Sequence, residues 1–123
     1  MKTPLTNREA DVMQVLWDHG PSVVADVRTH LRDDLAYTTV LSILRTLEAK
    51  GFVRHAEEGR GHRYSAKVQQ QAARKNALNH LTDKLFKGSP ELLFTHLVSD
   101  DRLTPQQIER MRELLAERAK NEE

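Results

Sequence analysis

Thr38, Thr39, Ser42 and Thr46 put four hydroxyls, and Arg45 a guanidinium, into the short run YTTVLSILRT. Read as a helix, this stretch carries Val40, Ile43, Leu44 and Leu47 at i, i+3, i+4 and i+7, an apolar stripe from which the polar side chains largely stand off. One face packs, and the other offers donors and acceptors of the kind that meet base edges in a major groove. Arg54, Arg60, His62 and Arg63 follow, grouped about Glu58-Gly59-Arg60-Gly61. The two glycines suit a tight reversal between strands built on Phe52, Val53, His55 and Tyr64. A basic hairpin beside a hydroxyl-rich helix reaches the phosphates flanking such a groove, so the chemistry on offer is recognition of double-stranded DNA. Structural roles compete for some of these residues: Thr38 and Thr39 as helix caps, and Arg45 as an ion-pair partner of Glu48, three positions on.

Other chemistries find less support. His55 and His62 flank the hairpin turn, but the six histidines show no His-x-His or His-x₃-His spacing. There is no cysteine to supply a thiolate ligand or nucleophile, so neither a metal nor another cofactor is expected. Glu57, Glu58, Asp100 and Asp101 read as solvated charge in turns, unlike a catalytic carboxylate pair. With no glycine-rich phosphate loop and no Ser/His/Asp arrangement, the reading is not an enzyme.

The elements that must hold the polar face and hairpin are legible as helices. Thr6 as N-cap with Glu9 three residues on forms a capping box, starting a helix that runs to about His19 with Val12, Met13, Leu16 and Trp17 inward. Gly20-Pro21 breaks it, and Ser22 is placed to cap a short second helix bearing Val24, Val27 and Leu31. Asp33-Asp34 leads into the third helix, which Lys50 and Gly51 end. Beyond Ser65 a long helix over Val68 to Phe86 carries Leu78, Leu81 and Leu85 and stops at Gly88. Ser89-Pro90 opens another, with Leu92, Leu93, Phe94, Leu97 and Val98, and Thr104-Pro105-Gln106-Gln107 opens a last one, with Ile108, Met111, Leu114 and Leu115.

Three such helices with no compact partner in the chain call for a second copy to cover them. The overall content of 38% hydrophobic and 5% aromatic residues in 123 points the same way. Net charge is only +1, yet between Arg45 and Lys67 six Lys/Arg stand against Glu48, Glu57 and Glu58, so the basic character gathers at the hairpin. No apolar run exceeds three residues, which excludes a signal peptide or membrane span and places the chain in the cytoplasm as an expectation.

The runs LTNREADVMQVLWDHGPSVVADV, YTTVLSILRTLEAKGFVRH and GRGHRYSA together resemble the penicillinase-repressor family of bacterial transcriptional regulators, the BlaI/MecI/CopY type. The match is close over roughly the first 66 residues and holds in layout beyond them. The resemblance implies a homodimeric repressor whose N-terminal winged helix occupies a palindromic operator while C-terminal helices dimerise. Base contacts would fall on Thr38, Thr39, Ser42 and Arg45, and the wing contribution on Arg60, His62 and Arg63. Family members tied to β-lactam resistance are inactivated by a sensor protease at an Asn-Phe bond. This sequence has no Asn-Phe, and its matching stretch reads Thr95-His96-Leu97-Val98, so His96 and Leu97 mark the corresponding region. The copper-responsive branch carries C-terminal cysteines that are missing here.

The expected fold is therefore mostly α: a winged helix-turn-helix DNA-binding domain over 1–66 and a helical dimerisation region over 67–123. DNA contact is expected from Thr38, Thr39, Ser42, Arg45, Thr46, Arg54, Arg60, His62 and Arg63. Dimerisation is expected from Leu78, Leu81, Leu85, Leu93, Leu97, Ile108, Met111 and Leu115. The expected function is repression of β-lactam-resistance or stress genes, the alternative being a winged-helix protein-interaction module.

Overall fold

The computed structural model describes residues 4–122. Helix α1 (Asn7–His19) opens as the sequence indicates: the Thr6 hydroxyl accepts from the Glu9 N–H at 3.2 Å and Glu9 Oε1 accepts from the Thr6 N–H at 2.8 Å. Gly20 ends the helix at φ +78°, a conformation open to glycine, with its N–H donating to the Leu16 carbonyl. Ser22 does not cap the second helix. It lies in a two-residue strand, β1 (Ser22–Val23), and its hydroxyl donates back to the Gly20 carbonyl, while α2 (Val24–His30) starts behind Val23 without a side-chain cap. Leu31, expected on that helix, sits just past its end.

Helix α3 (Tyr37–Ala49) follows, with Lys50 as C-cap and Gly51 at φ +86° turning the chain into the hairpin. Strands β2 (Val53–Glu58) and β3 (Gly61–Ala66) pair antiparallel, and β1 adds to the other side of β3, giving the order β1-β3-β2. Glu57 and Glu58 thus belong to a strand and not to a turn. The core behind the sheet is built from Val12, Met13 and Leu16 of α1, Val24 and Val27 of α2, Val40, Leu44 and Leu47 of α3, and Phe52, Val53 and Tyr64 of the hairpin. Trp17 packs on its edge, its indole N–H donating to the Val68 carbonyl at 3.0 Å and tying the chain beyond the hairpin to α1.

Helix α4 (Gln70–Leu85) begins two residues later than the apolar pattern indicates, because Val68 is drawn into the core ahead of it, where Ala73 joins it. The chain divides into two compact units, Met1–His80 and Leu81–Glu123. In the second, α5 (Pro90–Val98) is capped by Ser89 and α6 (Pro105–Asn121) by Thr104, both as the sequence indicates, and Gln107 completes a capping box with Thr104. Neither helix has a fully buried residue, and Leu85, Leu97, Val98, Ile108, Leu114 and Leu115 are exposed. Phe94, Leu97 and Val98 lie on α5 as the sequence indicates, and the connection to α6 is the segment from Ser99 to Thr104. There Arg102 hydrogen-bonds Asp100 and holds its carboxyl down to about 2. No helix among the described residues is long and apolar enough to cross a membrane.

Candidate nucleic-acid interface

Helix α3 divides sharply between two faces. Val40, Leu44 and Leu47 are wholly buried, whereas Thr38, Ser42, Arg45 and Thr46 are exposed and Thr39 is half-exposed. The N-cap position is taken by Ala36, with no side chain closing the helix start. Thr38 and Thr39 therefore do not serve as caps, and lie in the first turn beyond it. The Thr46 hydroxyl donates to the Ser42 carbonyl at 3.0 Å, which leaves its lone pairs outward. Tyr37, also in the first turn, is 46% exposed. Residue type alone does not separate an exposed tyrosine at that position from a packed one.

The hairpin turn contains only Gly59 and Arg60, since Glu58 pairs with Gly61. Gly59 at φ +60° occupies the first central position as a type II′ turn requires, and Arg60 is exposed at the tip. The four basic residues of the hairpin do not share a face. By the register, Arg54 and Arg63 lie on one side of the sheet together with Glu58, while His62 lies on the other with His55, Glu57 and Tyr64. Arg63 is engaged within the fold, its Nε donating to Glu58 at 2.6 Å and its Nη1 to the Pro21 carbonyl at 2.9 Å. Arg54 and Arg60 are the more exposed cations.

The second face turns toward α3. Glu48 pairs with His55 Nδ1 at 2.6 Å, and the His55 ring stacks on His62 with centroids 4.3 Å apart. Behind them Tyr64 is 1% exposed, and burial pushes its phenol above the ordinary range, with the Glu48 carboxylate adding to this and the charge of the Arg45 guanidinium opposing it. At the C-cap of α3, Lys50 reaches Glu9 at 2.7 Å and joins the helix C-terminus to the start of α1. Burial alone would raise the Glu9 carboxyl, but the Lys50 ammonium and the Thr6 backbone and hydroxyl outweigh it and hold it below the usual carboxylate range. Among the described residues no group of three or more His, Asp or Glu is arranged to hold a metal ion.

Comparison with known proteins places this arrangement. The penicillinase repressor profile matches residues 5–117, nearly the whole of the chain just described. The chain belongs to the penicillinase repressor family. Within it, the transcriptional regulator BlaI of Mycobacterium tuberculosis, in strains CDC 1551 and H37Rv, is 41% identical over 66 residues. That alignment takes in 51% of this chain and 48% of the relative, so the chain spans about half the length of the curated relatives it matches. Among solved structures, the Bacillus licheniformis BlaI monomeric form in complex with the blaP half-operator aligns with TM-score 0.50 and 24% identity, covering 58% of this chain and 90% of that one. This likeness establishes the winged-helix fold.

Proposed function

We propose that this member of the penicillinase repressor family is a cytoplasmic, homodimeric repressor that binds a palindromic operator through α3 and the hairpin. The exposed polar face of α3, backed by a fully buried apolar one, is the observation that carries the reading. A helix so divided is held rigidly from behind while its hydroxyls and Arg45 stay accessible to base edges. Thr38, Thr39, Ser42, Arg45 and Thr46 read sequence, and Arg54, Arg60, His62 and Arg63 supply the wing. Arg54 and Arg60 meet phosphates most directly, because Arg63 already has two partners in the chain.

The dimer forms through Leu78, Leu81, Leu85, Leu93, Leu97, Ile108, Met111 and Leu115. Most of these are exposed in the single chain, and an aqueous surface rarely keeps so many large apolar groups uncovered. The regulated genes are those of β-lactam resistance or stress, with a sensor protease as one route of release.

Selection of bound duplexes from a random-sequence pool tests this. The full chain should enrich an inverted repeat, and recovery of no common sequence would favour a winged-helix module that docks on protein.

A further inference from the structure

The seam between α3 and the hairpin holds two imidazoles between a carboxylate and a buried phenol. His55 Nδ1 lies 2.6 Å from Glu48 Oε2, and the His62 ring stacks on His55 at 4.3 Å with 17° between the planes. Tyr64 closes the inner side, 5.6 Å from one ring and 6.3 Å from the other. Glu57 pairs in register with His62 on the same sheet face, while Arg45 and Tyr37 approach from α3 next to the Tyr64 hydroxyl. The groups around the two imidazoles are thus two carboxylates, one guanidinium and two phenols.

Histidine is the side chain whose charge changes between about pH 5 and pH 8. Two charged rings at this separation repel, so charging both needs a further negative group beside them. A nearby row of phosphates would offer a counter-charge, and His62 is the ring nearer the hairpin turn. We infer that docking of duplex DNA on the wing is coupled to uptake of a proton by the His55–His62 pair, so that affinity rises as pH falls through neutrality. This rests on the DNA-binding reading above.

Fluorescence anisotropy of the full chain with a labelled random-sequence duplex of about 30 base pairs, at fixed low salt, tests it. The wild-type affinity should rise about tenfold from about pH 8 to about pH 6. That rise should be largely abolished in His62→Gln and in His55→Gln. It should persist in His30→Gln, which alters the separate His19–His30 stack. Imidazole ring resonances of the wild type, followed by NMR with and without the duplex, read the same coupling without a substitution: the pair should hold its protons to higher pH when DNA is present. Equal pH dependence in wild type and His62→Gln, with ring titrations unmoved by DNA, would overturn the coupling and leave DNA binding standing. A wild type that binds no duplex at any pH would overturn both.

Discussion

Glu9 serves two ends at once, closing the first turn of α1 and holding Lys50 from the far end of α3. Its carboxyl is depressed in the fold, so its contribution to stability is fully present above the ordinary value of 4.5 and is lost as pH falls below it. Glu9→Gln should cost about 1–3 kcal/mol at neutral pH, since it leaves Lys50 short of a charged partner in a largely buried site. The gap from wild type should close toward pH 4 and below. Denaturant unfolding followed by the single tryptophan, Trp17, measures both; a gap unchanged by acid would mean that the ion pair does not matter. At the hairpin tip, Arg60→Ala should weaken binding to all duplexes alike and reduce the slope of log affinity against log salt by about one unit. An unchanged slope would remove Arg60 from the interface.

Capped helices are the elements most readable in this chain, because a cap is a local event: Thr6 with Glu9, Ser89 with Pro90 and Thr104 with Gln107 each act within four residues. The two-residue strand β1 is not readable, having no periodicity of its own and existing only through its pairing with Tyr64 and Arg63. The same holds for the interactions within the candidate site. The apolar stripe of α3 implies its exposed polar face, but the Glu48–His55 and Glu9–Lys50 pairs depend on where the folded chain brings distant residues. If α3 reads bases, Thr39→Ala or Ser42→Ala should relax sequence preference by about 1–3 kcal/mol for each well-made hydrogen bond to a base edge, without changing the salt slope. Competition between selected and scrambled duplexes checks this. Equal discrimination by both variants and wild type would place recognition elsewhere. In α5, His96-Leu97 is helical, and a protease cleft requires that backbone to unwind first. Mass spectrometry of the chain from induced cells should therefore find that bond intact; a cut there would show that the family's mode of release survives without an Asn-Phe bond.

At the scale of the whole molecule, α5 and α6 have no fully buried side chain among the described residues, and the proposed dimer would cover the apolar side chains that the C-terminal helices leave exposed. Replacing Leu81 and Leu85 together with Asp should give monomers and weaken operator binding, because each monomer then holds a single half-site on its own. Sedimentation equilibrium of the full chain with its selected inverted-repeat duplex tests dimer and operator together. The bound protein should have twice the 14.1 kDa chain mass, and scrambling one half-site should sharply reduce its affinity. One chain per duplex, indifferent to the second half-site, would contradict a dimeric repressor seated on a palindrome.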